Sequence, residues 1–231
     1  MALPRAVVIC ECLARDGLQN EDRLVPTDLK VQFIDAATEA GFRRIEAASY
    51  AHPKYLPQFA DTEEVLKRIR RRPGVAYLGL VPNQRGLERA LEHCQKGYGP
   101  DAVGTILSAS EPHNLANVKR TIAESQAEIE AICRRALKEG LRVVGGIATA
   151  FGCPIQGDVG WEAAAALAAW YADLGVTEVL FGTPRGWRTR SRSRSSSRAC
   201  ATGCPGWRRS RTSTTRAGRR WRTRSPLSGR A

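Results

Sequence analysis

Ala6-Val7-Val8-Ile9-Cys10-Glu11-Cys12-Leu13-Ala14-Arg15-Asp16-Gly17-Leu18-Gln19-Asn20-Glu21 is an apolar run that passes directly into an arginine, carboxylates and two amides. The run from Ala6 to Cys10 reads as a buried strand, and Gly17 loosens the backbone where that strand ends. Charge therefore gathers at a strand's C-terminal tip. A parallel α/β barrel or a doubly wound sheet keeps its chemistry at such tips.

The chain beyond this stretch alternates between strand and helix patterns. Pro26-Thr27-Asp28 starts a helix with apolar residues Leu29, Val31, Phe33, Ile34, Ala37 and Ala40, stopped by Gly41. Residues 43–47 read as a second strand, 58–71 as a helix ended before Pro73, 75–81 as a third strand and 85–95 as a helix. Residues 101–107 read as a fourth strand, 114–139 as one long helix, 141–148 as a fifth strand, 161–174 as an alanine-rich helix and 176–181 as a sixth strand. Such alternation requires parallel strands joined by crossovers. An open doubly wound sheet would be complete at six strands, whereas a TIM barrel would lack two. The first strand is not followed by a Gly-x-Gly-x-x-Gly loop, which weighs against a dinucleotide-binding sheet.

Net charge taken over the whole chain misleads. The total of 36 Lys+Arg against 23 Asp+Glu, net +13, suggests a nucleic-acid or membrane partner. Residues 184–231, however, hold fifteen Arg and no Lys, Asp or Glu, which leaves 21 basic and 23 acidic residues in the first 183. That first part is an ordinary near-neutral domain. No apolar run approaches the roughly 18 residues a spanning helix needs, and residues 1–4 carry no basic leader segment. The seven cysteines Cys10, Cys12, Cys94, Cys133, Cys153, Cys200 and Cys204 lack the spacing of a disulfide framework, so a reducing, cytoplasmic setting is expected. Cys200 and Cys204 have no second pair and no nearby His, which argues against zinc there.

Arg15 beside Asp16 alone would suit a plain surface ion pair. The longer string Arg15-Asp16-Gly17-Leu18-Gln19-Asn20-Glu21 resembles the opening motif of the 3-hydroxy-3-methylglutaryl-CoA lyases, which are metal-dependent TIM-barrel enzymes. The resemblance continues in order through Ile45-Glu46-Ala47-Ala48-Ser49, Pro53 to Gln58, Ser108-Ala109-Ser110-Glu111 and Phe151-Gly152-Cys153-Pro154, covering about residues 7–182. It implies an α/β TIM (β/α)8 barrel, incomplete here at about six βα units. It also implies retro-Claisen cleavage of 3-hydroxy-3-methylglutaryl-CoA to acetoacetate and acetyl-CoA with Mg²⁺ or Mn²⁺ as cofactor.

By the same resemblance Asp16 matches a metal ligand, Arg15 a catalytic arginine, and Glu46 an active-site acid supporting Arg15 and the metal shell. Gln19, Asn20 and Lys54 would contact substrate, Lys54 through a phosphate of the acyl-CoA. On chemistry alone Glu46 also suits a solvated strand-end carboxylate and Lys54 a solvated loop cation. Cys153, before a proline and without a partner His, suits a buried structural thiol better than a nucleophile. Full-length relatives are expected to be homodimers. A related condensing synthase of the isopropylmalate or homocitrate type is the enzymatic alternative, and Gly17-Leu18-Gln19-Asn20 argues against it.

The family's His-x-His metal ligands and its cysteine on a glycine-rich loop are expected further along, yet the only histidines are His52, His93 and His113. After Gly182 the text turns to Arg, Ser, Gly, Pro and Trp. One explanation is a disordered Arg/Ser arm that binds nucleic acid non-specifically through phosphates. The other is translation out of frame. In the frame that starts at the third base of each codon, residues 211–216 are compatible with His-Phe-His-Asp-Thr, and residues 182–190 with Asp-Thr-Thr-Gly-Met-Ala-Asn-Pro. Two matches in one frame and in family order favour a lost base near codon 182. The expected organisation is a partial barrel domain over 1–183 and a disordered, out-of-frame segment over 184–231. Two strands would then be missing, strands one and six would have bare edges, and the chain as written would be poorly soluble and inactive.

Overall fold

The structure, a computed structural model, describes residues 8–182 together with the backbone of Arg208 and Arg209. Among the described residues seven parallel strands stand in sequential order: β1 (Cys10–Glu11), β2 (Arg44–Ser49), β3 (Ala76–Leu80), β4 (Ala102–Ser108), β5 (Arg142–Ala148), β6 (Glu178–Phe181) and β7 (Arg208–Arg209). The crossovers carry α1 (Thr27–Glu39), α2 (Thr62–Arg68), α3 (Gln84–Gln95), α4 (Glu111–Val118), α5 (Ile122–Lys138) and α6 (Trp161–Asp173).

The sheet curls. Arg44 on β2 makes an ion pair with Glu178 on β6, two groups that a flat sheet would hold roughly 19 Å apart, four strand spacings. Direct contact requires the strands to roll toward one another, and the first six form half of a barrel. Cross-strand register aligns Arg44 with Ala76, Glu46 with Leu78, Leu78 with Ala102, Gly104 with Val144, and Gly146 with Leu180. Leu78, Ala102 and Val144, with Ala76 and Leu180 against them, therefore line the concave side together with the Arg44–Glu178 pair. The alternate residues Ile45, Tyr77, Val103, Val143 and Ile147 belong to the larger core between sheet and helices. Burying side chains such as Ile45 and Ile147 contributes about 2 kcal/mol each. Gly145 belongs to the outward side as well, where a Cβ would lie 2.8 Å from the Tyr171 ring of α6, so this helix can sit flush on the sheet only over a glycine.

Several expectations need correction. Among the described residues the first strand is only Cys10–Glu11, and Ala6 and Val7 lie outside them. The second helix is shorter than 58–71. Pro57–Phe59 is a separate 3₁₀ turn, and α2 gives way to extended backbone at Ile69. There the Asp35 carboxylate accepts from both the backbone N and Nε of Arg70, at 2.8 and 2.9 Å. The single helix over 114–139 is two helices. Lys119 takes a left-handed conformation (φ 58°) that ends α4, and Thr121 with Glu124 forms a reciprocal capping box that starts α5. The outer edge of β6 is not bare, because Arg208 and Arg209 pair with Glu178 and Val179. The exposed N–H and C=O groups of a parallel edge accept any extended backbone of suitable direction. The remaining expectation for 184–231, disorder, lies outside the described residues.

Asn114 holds the β4–α5 corner. Its Oδ1 accepts from Ser108 N at 2.9 Å, and its Nδ2 donates to Arg120 O, Thr121 O and Ser125 Oγ at 2.9, 3.0 and 2.7 Å, while Asn114 itself is 0% exposed. Asn114→Ala leaves several buried polar groups unpaired and is expected to cost about 3 kcal/mol. Urea denaturation measures this, and a loss below about 1 kcal/mol would mean that the corner is held by other contacts.

Candidate active site at the tips of the first two strands

Beyond β1 the chain makes one turn of π-helix, Leu13–Gly17, followed by a 3₁₀ turn, Leu18–Asn20. Cys12 O accepts from Arg15 N, Asp16 N and Gly17 N at 3.2, 2.7 and 3.3 Å, and the Glu11 carboxylate accepts from Leu13 N at 2.7 Å. A side chain at residue 17 would meet Leu13 Cδ1 at 2.5 Å, so anything larger than glycine there would displace the exposed Leu13 side chain. Ala14 is buried and pins the turn to the core. Arg15 is thereby aimed across the strand tips.

Glu46 sits in β2 just before a bulge, where the register with β3 shifts between Glu46 and Ala48. A bulge re-aims neighbouring side chains and is common beside active sites. Arg15 Nε donates to Glu46 Oε2 at 2.7 Å, and its Nη2 makes an ion pair with the same oxygen. Arg15 Nη1 donates to Asp16 Oδ1 at 3.0 Å. The Arg15 side chain is 14% exposed, Glu46 15% and Asp16 40%. Burial opposes the charge on Arg15, but the Glu46 and Asp16 carboxylates outweigh it and hold the guanidinium above its ordinary range. This corner presents a fixed cation with one carboxylate behind it and a second facing solvent.

The structure thus brings Arg15, Asp16 and Glu46 together. It does not bring the other expected site residues into that contact. Gln19 is half-buried and Asn20 exposed on the following 3₁₀ turn. Lys54 is exposed on the turn after β2, where its backbone N donates to His52 Nδ1 at 3.1 Å. It stands close in sequence to a surface cavity of about 480 Å³ lined by Tyr50, His52, Pro53, Asn83, Arg85 and Arg89 among others.

The same rim carries further polar groups at the end of β4. Ser108 Oγ is 2.7 Å from His113 Nδ1, and Ser110 Oγ donates to Cys153 Sγ at 3.1 Å. Cys153 is fully buried and also accepts from the backbone N of Ile155 and Gln156, each at 3.3 Å. Burial pushes its thiol up, and the three donors outweigh that and bring it below its ordinary value. Full burial agrees with a structural thiol.

Two residues of this corner were missed by sequence reasoning. Cys10, in β1, and Cys12, where the π-helical turn begins, both stand beside Glu46, with their sulfurs 3.8 Å apart. The hydrogen bond with Cys10 leads, with burial and the Glu46 charge adding to it, in pushing the Cys12 thiol far up. The signal was the Cys-x-Cys spacing itself.

For a hard divalent cation the described residues supply Asp16 and the Glu46 oxygen that Arg15 does not take, and the remaining donors nearby are sulfurs. His52, His93 and His113 lie elsewhere. His93 packs between Tyr50 and Tyr98, with its Nδ1 3.0 Å from Tyr50 Oη. The described donor set does not complete an oxygen-rich metal site.

Comparison with known proteins gives a consistent result. The family model described as HMGL-like matches residues 6–205. A hydroxymethylglutaryl-CoA lyase of Bacillus subtilis is 37% identical over 182 residues, which are 79% of this chain and 59% of that protein. The solved hydroxymethylglutaryl-CoA lyase of Pseudomonas aeruginosa superposes with a TM-score of 0.83 at 35% identity, covering 89% of this chain and 67% of that one. A lyase of the same name from Acinetobacter baumannii, solved in complex with coenzyme A and 3-methylmalate, gives 0.79 at 34% identity, over 85% of this chain and 62% of that one. The chain spans little more than half the length of the Bacillus relative.

Proposed function

Because the chain belongs to the HMGL-like family, we propose that its rim is the active-site corner of a carbon–carbon lyase that cleaves 3-hydroxy-3-methylglutaryl-CoA to acetoacetate and acetyl-CoA. The observation that carries this reading is Arg15, held by Glu46 and turned toward Asp16 at the C-terminal tips of parallel strands. In a retro-Claisen cleavage the breaking bond pushes charge onto a carbonyl oxygen, and a preorganised guanidinium beside that oxygen lowers the barrier. Such a donor contributes on the order of 3 to 4 kcal/mol to the transition state. Glu46 acts through Arg15: two contacts to one carboxylate oxygen fix the plane of the guanidinium before substrate arrives.

The family is metal-dependent, and Mg²⁺ or Mn²⁺ is the cation we propose, with Asp16 as the ligand this chain contributes. Since the described donors do not complete such a site, the other ligands are assigned to the His-x-His pair that the shifted frame after codon 182 would encode. We accordingly read residues 1–183 as the barrel part and 184–231 as out-of-frame text. Gln19, Asn20 and Lys54 are proposed substrate contacts, Lys54 toward a phosphate of the acyl-CoA. The Acinetobacter complex with coenzyme A and 3-methylmalate supports an acyl-CoA substrate. Homodimerisation of the full-length form, cytoplasmic residence and salt-sensitive, non-specific contact of 184–231 with nucleic acid belong to the same reading. Among the described residues no helix is long and apolar enough to cross a membrane.

An acyl-CoA screen of the protein expressed with one base restored near codon 182 tests the assignment. Acetoacetate released from 3-hydroxy-3-methylglutaryl-CoA supports it. Condensation of acetyl-CoA with a 2-oxo acid, without that release, would instead make the protein a synthase of the same superfamily.

A further inference from the structure

We propose that Cys10, Cys12 and Glu46 form a site for a thiophilic divalent cation of the Zn²⁺ type, which would clamp the tip of β1 to β2. One ligand atom from each of the three lies within 4.8 Å of the others, and all three residues are half-buried. Two thiolates bound at about 2.3 Å to a tetrahedral ion stand about 3.8 Å from each other. The sulfurs of Cys10 and Cys12 are already 3.8 Å apart. The spacing arises from the fold: Cys10 lies in β1, Cys12 stands where that strand passes into the π-helical turn, and the β1–β2 register, Cys10 opposite Arg44 and Glu11 opposite Ile45, brings the end of β1 beside Glu46. Arg15 takes Oε2 of Glu46 in both of its contacts, which leaves Oε1 as the oxygen for an ion.

Ligand chemistry selects the class of ion. Two sulfurs and one carboxylate oxygen suit zinc, or cadmium and cobalt as its probes, and suit Mg²⁺ or Ca²⁺ poorly. Three protein ligands leave a fourth position open to water or a small anion. Binding exchanges the two thiol protons for the cation, with no oxidant or reductant involved. The site is separate from the proposed lyase chemistry, although it shares Glu46 with Arg15, so its occupancy is measured without any activity assay.

The test uses the reduced 231-residue chain with Zn²⁺ alone. Alkylation followed by peptide mapping is expected to show Cys10 and Cys12 slowed at least about tenfold by stoichiometric Zn²⁺, because a metal-bound thiolate is a poor nucleophile, while half-buried Cys94 is unchanged. Co²⁺ is expected to give a sulfur-to-metal charge-transfer band that Cys10→Ser or Cys12→Ser removes and the Cys200→Ser/Cys204→Ser double variant retains. Equal alkylation of Cys10 and Cys12 with and without Zn²⁺, or protection confined to Cys200 and Cys204, overturns the proposal. The mapping needs no variant, so a serine substitution that fails to fold leaves it decisive.

Discussion

In the protein expressed with its frame restored after codon 182, Arg15→Lys is expected to lower kcat for 3-hydroxy-3-methylglutaryl-CoA by about 10²- to 10³-fold, with a smaller change in KM. The charge is retained in this variant and the geometry is lost. Arg15 reaches Glu46 through Nε and Nη2 and Asp16 through Nη1. A lysine ammonium is a point charge without that fork and cannot hold both carboxylates in one plane. Glu46→Gln keeps an acceptor for Arg15 and removes the charge, so its loss should be smaller, about tenfold. Steady-state kinetics with both variants separates the two contributions. If Arg15→Lys keeps kcat within threefold of the parent, Arg15 is a structural ion-pair partner and the proposed role fails.

The second large effect concerns the chain as written. The 231-residue protein with Mg²⁺ or Mn²⁺ present is expected to give no measurable cleavage, whereas the frame-restored protein turns over. Asp16 is a single, partly exposed carboxylate with one oxygen already shared with Arg15. A lone carboxylate in water binds a divalent cation weakly, and octahedral Mg²⁺ or Mn²⁺ needs further protein or substrate oxygens or imidazoles to be held in place. Equilibrium dialysis with Mn²⁺ should show the same contrast, with weak binding to the 231-residue form and tighter binding once the His-x-His pair is encoded. Comparable turnover by both forms would show that residues before 183 hold the whole catalytic set, and the shifted-frame proposal would lose its functional basis.

The fold was legible where pattern and packing agreed. Strands β2 to β6 and helices α1, α3 and α6 lie within two residues of their expected bounds because apolar periodicity and glycine stops coincide there. The α4–α5 break was missed because helical periodicity runs on through Lys119, although Thr121-x-x-Glu124 carries a capping signature that only needed to be weighed above it. Arg208 and Arg209 show no strand pattern at all, and only the open edge of β6 accounts for their pairing.

At the site, the Arg15-Asp16-Gly17 turn was visible because charge and glycine follow an apolar run. The reach of Arg15 to Glu46, 31 residues away, has no local signature and came only from resemblance. Cys10 and Cys12 count among seven cysteines in the sequence, and their spacing of two is the property that bears on the site. Lys54 fits a loop cation as well as a phosphate contact, and its exposed position on the turn after β2 is compatible with both.

The most direct test of the lyase assignment is product stoichiometry. The frame-restored protein, supplied with Mn²⁺ and 3-hydroxy-3-methylglutaryl-CoA, is expected to release acetoacetate and acetyl-CoA in equal amounts, and Asp16→Asn is expected to abolish both products together. Free coenzyme A appearing without acetoacetate, or a product yield untouched by Asp16→Asn, would contradict the assignment of this corner as the site of carbon–carbon cleavage.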